Sequence, residues 1–257
     1  LEMAAGSKMK DLLEKLTRNR FLGFLLGVLV TVVIQSSSAT TVMVMGFINA
    51  GIMDLAQATG VIFGANIGTT ITSVLIALDV SGIAPFCLFL GAFLMLYSKK
   101  KQTKHIGQII LGFGLLFQGL HTMSGAMKPL KDVIWFQDFI MNAKNPMLGI
   151  LVGAVLCAVI QSSSAAVGIL QALAMQGLMP LYFASFLICG VNIGSAMPTI
   201  LASMNARNNA KRAAMIYLIN NVVGAVIMTV VTLAFPYTQF IESIIPDPMF
   251  QVSVVHI

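Results

Sequence analysis

The five residues Gln35-Ser36-Ser37-Ser38-Ala39 recur unchanged 126 positions later as Gln161-Ser162-Ser163-Ser164-Ala165. At the same offset Asn66-Ile67-Gly68 recurs as Asn192-Ile193-Gly194. A gap-free alignment of residues 21–77 with 147–203 contains 21 identities in 57 positions, among them Gly23/Gly149, Gly27/Gly153, Gly51/Gly177 and Gly64/Gly190. Shared apolar composition produces some matches by chance, but it does not place two polar clusters in register. The chain is therefore read as a duplicated unit with a polar centre in each copy, the pattern of a transport site shared between two halves of one chain.

The surroundings of those centres set the class of protein. Charged residues are 9% of the 257-residue chain, against roughly 25% in soluble domains. Hydrophobic residues are 58%, and the mean hydropathy is +0.92. A water-soluble exterior cannot be built from so little charge, which makes this an integral membrane protein, multi-pass by the number of its apolar runs. The net charge of +6 is confined to residues 8–20, 99–104, 128–144 and 207–212, all between apolar runs. It reads as topology and contact with membrane lipids. No basic stripe interleaved with aromatics is present, so nucleic acid is not an expected partner. Cys87, Cys157 and Cys189 lie inside apolar runs without metal-ligand spacing and read as small packing residues. A basic start, an apolar run and small residues make residues 8–39 resemble a secretory signal, but the same run recurs in mid-chain, where no signal can be.

Residues 1–20 are polar and periodic, with Leu12, Leu13 and Leu16 on one face, as in an interfacial amphipathic helix. Residues 21–34 and 39–50 flank the first QSSS and are each too short for the roughly 20 residues of a spanning helix. A re-entrant hairpin with QSSS at its tip, or one long helix broken in the middle, fits that length. Residues 52–78 are expected to cross, broken at Gly64–Gly68, and residues 83–97 and 106–123 to cross again. Residues 128–145 are a second amphipathic segment holding Trp135, the one tryptophan, at the interface. The order then restarts, with a hairpin over 146–178, a helix over 181–204 interrupted at Gly190–Gly194, and a helix over 213–235.

With hairpins that return to their own side, one repeat has three crossings and the second repeat enters upside down. That scheme puts 12 basic residues on one side and Lys128, Lys131 and Lys144 on the other, making the first side cytoplasmic. Full crossings give 11 against 4, so arm length, not charge, selects the hairpins. The fold expected is all-α, a polytopic membrane protein of two inverted-topology repeats, each with a re-entrant helical hairpin and broken helices. Residues 1–127 form repeat 1 and 128–257 repeat 2. Residues 111–127 precede repeat 2 and have no counterpart before repeat 1, so a further N-terminal helix like them is expected, and more chain beyond the apolar residues 250–257.

Four polar side chains in mid-membrane each need a partner or a hydrated ligand, because an unpaired polar group in hydrocarbon costs several kcal/mol. One SSS could be a helix-packing patch whose hydroxyls bond back to the backbone. Two identical copies, each with a glutamine and a downstream asparagine, point to a binding site. Serine hydroxyls, glutamine amides and freed N–H groups at a helix start favour an anion, and carbonyl and hydroxyl oxygens suit a hard cation such as Na⁺. No Lys or Arg lies in a predicted span, and Asp54 and Asp79 lie at span edges. His121 is the one candidate for an intramembrane proton carrier and reads better as a satisfied histidine, so sodium is favoured over protons. Asn66, Thr69, Thr70, Asn192 and Ser195 are candidates to complete cation sites. Asn220 and Asn221 read as polar glue between helices and stay outside the site.

The paired QSSSA motifs, the run Gly64-Ala65-Asn66-Ile67-Gly68-Thr69-Thr70 and the run Leu111-Gly112-Phe113-Gly114-Leu115-Leu116-Phe117 resemble the bacterial branch of the type II sodium–phosphate cotransporter family, over essentially the whole chain. The resemblance implies an inverted-repeat fold and sodium-coupled movement of inorganic phosphate across the bacterial cytoplasmic (inner) membrane. It implies that Gln35, Ser36, Ser37, Ser38, Gln161, Ser162, Ser163 and Ser164 bind phosphate. The sodium ligands expected are Ser37, Ser38, Asn66, Thr69, Thr70, Ser163, Ser164, Asn192 and Ser195. The second run departs from the first, with Ser195-Ala196 in place of Thr69-Thr70, which removes one hydroxyl. Phosphate, Na⁺ and membrane lipids are the expected partners, with a homodimer as candidate assembly. No cofactor is expected beyond co-transported Na⁺, and no transition metal. The alternatives are sodium-coupled carriage of another oxyanion or small carboxylate, and a membrane phosphate sensor that does not transport. The chain is not expected to be an enzyme, for it has no nucleophile–base–acid set.

Overall fold

The computed structural model describes residues 17, 19–78, 81–136 and 145–256. Among them every regular element is helical. The first motif copy is built by α1 (Arg20–Ile34), α2 (Ser37–Asn49) and α3 (Leu55–Ala77). Its equivalent at the 126-residue offset is α6 (Pro146–Ile160), α7 (Ser163–Met175), α8 (Leu181–Gly194) and α9 (Met197–Ser203). Between the two copies run α4 (Ala84–Tyr97) and α5 (Lys101–Met127). After the second come α10 (Asn208–Ala234), α11 (Tyr237–Ile244) and α12 (Pro248–His256).

Local chemistry sets the breaks. Gln35 and Gln161 adopt left-handed backbone, with φ of 60° and 58°, and end α1 and α6 with amide bonds of 2.7 Å to the Thr31 and Cys157 carbonyls. Ser36 and Ser162 then start α2 and α7 as N-caps, each accepting from the amide three residues on at 3.2 Å. Gly51 and Gly177, at φ of 69° and 65°, close the far ends of α2 and α7, where a Cβ would be strained. Arms α1 and α6 have 15 residues each, about 22 Å of helix against the ~30 Å of a bilayer core.

In lipid, apolar surface gives helices no preference for one another, and close packing takes over. A methyl on Gly27 would strike the Val61 carbonyl, and one on Gly64 the Phe24 carbonyl. At the same offset, Gly153 meets Leu187 and Gly190 meets Ile150. These glycines seat α1 on α3 and α6 on α8, backbone to backbone. The larger cores form around these seats: α10 covers Val44, Val61 and Ile62 with Ala213 and Tyr217, and α12 covers Val167, Leu170 and Leu187 with Val252 and Val255. The outer faces are apolar and open, as at Val33, Phe89 and Val159, each about three-quarters exposed.

Among the described residues four helical stretches are long and apolar enough to cross a membrane: Leu55–Ala77, Lys101–Leu130, Leu181–Ser203 and Asn208–Ala234. Several expectations are corrected here. The first Gly-Ala-Asn-Ile-Gly run is no break, since α3 passes through it unbroken from the Asp54–Gln57 capping box to Ala77. The second interruption falls later than expected, at Ser195–Ala196 and not within Gly190–Gly194, because Pro198 lacks the N–H that would continue the ladder. Of the crossing expected over residues 83–97, Ala84–Tyr97 forms a 14-residue helix, short of a crossing, opened by Pro85. Lys128–Asp132 is a 3₁₀ turn started by Pro129, not an amphipathic α-helix. Trp135 is exposed. Most of the expected helix over residues 1–20, and residues 137–144, lie outside the described residues.

Candidate functional site: a neutral cavity shared by both motif copies

A cavity of about 290 Å³ is lined from both copies, by Ser37, Asn66, Thr69 and Thr70 of the first and Ser163, Asn192 and Ser195 of the second. At ~30 Å³ per water, it has room for roughly ten waters, or for an oxyanion with cations beside it. Among the described residues no Lys, Arg, Asp or Glu lines it. Its polarity is that of hydroxyls, amides, helix ends and the His256 imidazole. Ser37 and Ser163 are the first residues of α2 and α7, where backbone N–H groups lack partners within the helix.

Six side chains knit the two halves. The Ser37 hydroxyl lies 2.9 Å from the Tyr217 hydroxyl, which lies 3.2 Å from Ser195 Oγ. Ser38 Oγ donates to the Ser195 carbonyl at 2.9 Å. Asn66 Nδ2 donates to Asn221 Oδ1 at 2.5 Å, and Asn221 Nδ2 donates to the Asn192 carbonyl at 2.8 Å and to Ser195 Oγ at 3.3 Å. A continuous polar bridge thus runs from the α2 start through α10 to the α8–α9 interruption, and Asn221 ties α3 into it.

The other expected residues sit differently. Ser36 and Ser162 have their oxygens engaged as N-caps. Gln35 is exposed and bonded to its own helix, Nε2 to the Val32 carbonyl at 2.6 Å, while its Oε1 accepts from the Thr72 hydroxyl. Gln161 is exposed too, and Pro198 stands where the offset would place a second Thr72. Ser164 has no counterpart to the Ser38 bond among the described residues. The two motif copies are alike in backbone and unlike in side-chain partners. Thr69 and Thr70 donate to the Ala65 and Ile67 carbonyls at 3.2 and 2.8 Å, which leaves oxygen lone pairs free for a cation.

Sequence reasoning missed Tyr217, Asn221 and His256. Tyr217 is fully buried and Asn221 nearly so, and with Ala225 they recur every fourth residue along one face of α10, a helical stripe that signals a shared surface. His256 lines the cavity from the end of α12, a stretch to which the sequence reading assigns no site residue. His121, the sequence's candidate, is exposed and does not line it.

The model of the Na+/Pi-cotransporter family matches residues 1–125 and 136–244. The chain belongs to that family. This cotransporter-family chain is 31% identical to "Uncharacterized protein YqeW" of Bacillus subtilis over 97% of its own length and 80% of that protein's. It is 28% identical to "Putative inorganic phosphate export protein YjbB" of Escherichia coli over 87% of its length, spanning 41% of that relative. A stretch of 78 residues is 37% identical to "Sodium-dependent phosphate transport protein 2A" of sheep, 30% of this chain and 12% of the relative. No solved structure matches it. Its family is one of transporters, not enzymes, in line with the expectation from the sequence, and its apolar spanning helices make it an integral membrane protein.

Proposed function

We propose that this family member carries inorganic phosphate together with Na⁺ across the bacterial cytoplasmic membrane, exposing one cavity alternately to each side. The observation that carries the reading is the meeting of Ser37 and Ser163, equivalent residues of the two copies, on one uncharged cavity. Each opens a helix whose free N–H groups and positive dipole end favour an anion. With no lysine or arginine on the wall, co-bound cations offset the phosphate charge, and the oxygens of Asn66, Thr69, Thr70, Asn192 and Ser195 are their ligands. Ser36 and Ser162 hold the two helix starts in place. The equivalent α1–α2 and α6–α7 pairs act as re-entrant hairpins in inverted repeats, and rocking of one repeat against the other changes the side of access.

The test is uptake of labelled phosphate into proteoliposomes under an imposed Na⁺ gradient. Ser37→Ala and Ser163→Ala are each expected to weaken apparent phosphate affinity about ten- to a hundredfold, the worth of a hydrogen bond to a charged group, and to weaken Na⁺ dependence with it. Transport unchanged in both variants would return the motif to helix packing. Uptake driven by protons and indifferent to Na⁺ would overturn the coupling, and binding without uptake would favour a sensor. Export, the direction named for the Escherichia coli relative, is measured in the same vesicles loaded with phosphate.

A further inference from the structure

We propose that His256 makes the cavity selective for oxyanions that still carry a proton, an inference that rests on phosphate being the occupant. His256 is buried at the end of α12 and lines the cavity. Its Nδ1 lies 3.0 Å from Ser73 Oγ. The Ser73 hydroxyl has one hydrogen, which it donates to the Thr70 carbonyl at 2.7 Å. With that hydrogen on the Thr70 carbonyl, the imidazole meets the Ser73 oxygen as the donor and carries its proton on Nδ1, the tautomer that this bonding assigns. A neutral ring with Nδ1–H has a lone pair on Nε2, and Nε2 has no protein partner among the described residues.

The ring is held from behind. Gln171 Nε2 and Ser253 Oγ both donate to the Ser73 carbonyl at 2.9 Å, and Gln171 Nε2 reaches Ser253 Oγ at 2.8 Å. These bonds clamp α12 onto α3 and α7 and fix the Ser73 backbone, whose hydroxyl holds Nδ1 of the ring. On a wall otherwise furnished with neutral hydroxyls and amides, Nε2 is a strong acceptor. An acceptor facing an anion is repulsive unless the anion supplies a hydrogen. Phosphate and arsenate keep at least one proton at neutral pH and supply it through their O–H. Sulfate and selenate have none to give. A site built to hydrogen-bond a substrate O–H discriminates strongly against an analogue lacking it, because its own polar atom is then left unpaired.

The test is competition against labelled phosphate on the full chain in proteoliposomes, with unlabelled phosphate, arsenate, sulfate and selenate. In the wild type, phosphate and arsenate compete and sulfate and selenate do so far more weakly. His256→Asn places an amide where Nδ1 stands and nothing at Nε2, and is expected to lower the phosphate-over-sulfate ratio about tenfold or more. His256→Gln restores a carbonyl acceptor at the Nε2 position and is expected to retain most of the discrimination. A wild-type ratio in a folded His256→Asn protein would overturn the inference. If that variant does not fold, nitrogen NMR of histidine-labelled wild type decides: Nε2 unprotonated and shifted by phosphate but not by sulfate supports the assignment, and a protonated or unresponsive Nε2 overturns it. Failure of the wild type to bind phosphate at all would instead sink the functional reading.

Discussion

Gly64→Val and Gly190→Val are each expected to cost about 3 kcal/mol, the upper part of the range for overpacking, and to lower the melting temperature of the purified protein by roughly 6–12 °C. The reason is what the added carbon meets. At both positions it strikes a main-chain carbonyl of the neighbouring arm, Phe24 in one copy and Ile150 in the other. A flexible side chain would yield, whereas a hydrogen-bonded helix backbone can move only by separating α1 from α3 or α6 from α8. Gly112→Ala is the matched control, since nothing lies within 4 Å of a Cβ there. It is expected to be neutral or to stabilise by up to about 1 kcal/mol through helix propensity. Thermal unfolding followed by circular dichroism separates these outcomes. Equal melting temperatures for Gly64→Val and Gly112→Ala would show that the close approach does not hold the arms.

Asn221→Leu is expected to lower phosphate transport at least tenfold while the protein still reaches the membrane. Leucine keeps the volume of the α10 position and deletes three hydrogen bonds, those to Asn66, the Asn192 carbonyl and Ser195. The Asn66 amide is then left without this partner beside the cavity, at about 1–3 kcal/mol for a buried group, while the Asn192 carbonyl keeps only the Ser195 hydroxyl, at 2.7 Å. That is a factor of about ten or more if the loss falls on the loaded state. Initial rates of labelled uptake, normalised to reconstituted protein, measure it. Unchanged rates would make Asn221 ordinary helix glue, as the sequence alone suggested.

What could be read from the chain and what could not divides along a physical line. The Gln35 and Gln161 breaks were legible because each arm is too short to span and its polar residues are adjacent in sequence. The glycines of 64–68 misled because glycine signals both a broken helix and a close contact. Only the carbonyl packed against Gly64 tells which applies, and it comes from another helix. Pro198 marked the true interruption in the second copy, where a threonine stands in the first. Tyr217 and Asn221 owe their role to partners up to 180 residues away, a relation that no local pattern encodes. His256 was invisible for the same reason, because its significance depends on Ser73, 183 residues earlier.

The absence of fixed charge on the cavity wall has an electrical consequence. Each elementary charge moved across the membrane is worth about 2.3 kcal/mol per 100 mV. With no lysine, arginine or carboxylate among the described lining residues, the cavity wall contributes no formal charge of its own to that work. Under the proposed cotransport, return of the empty cavity is then close to silent, and the current measured during turnover is the charge of the cargo. A voltage-clamp trace set against the phosphate flux would then count the cations that accompany each phosphate.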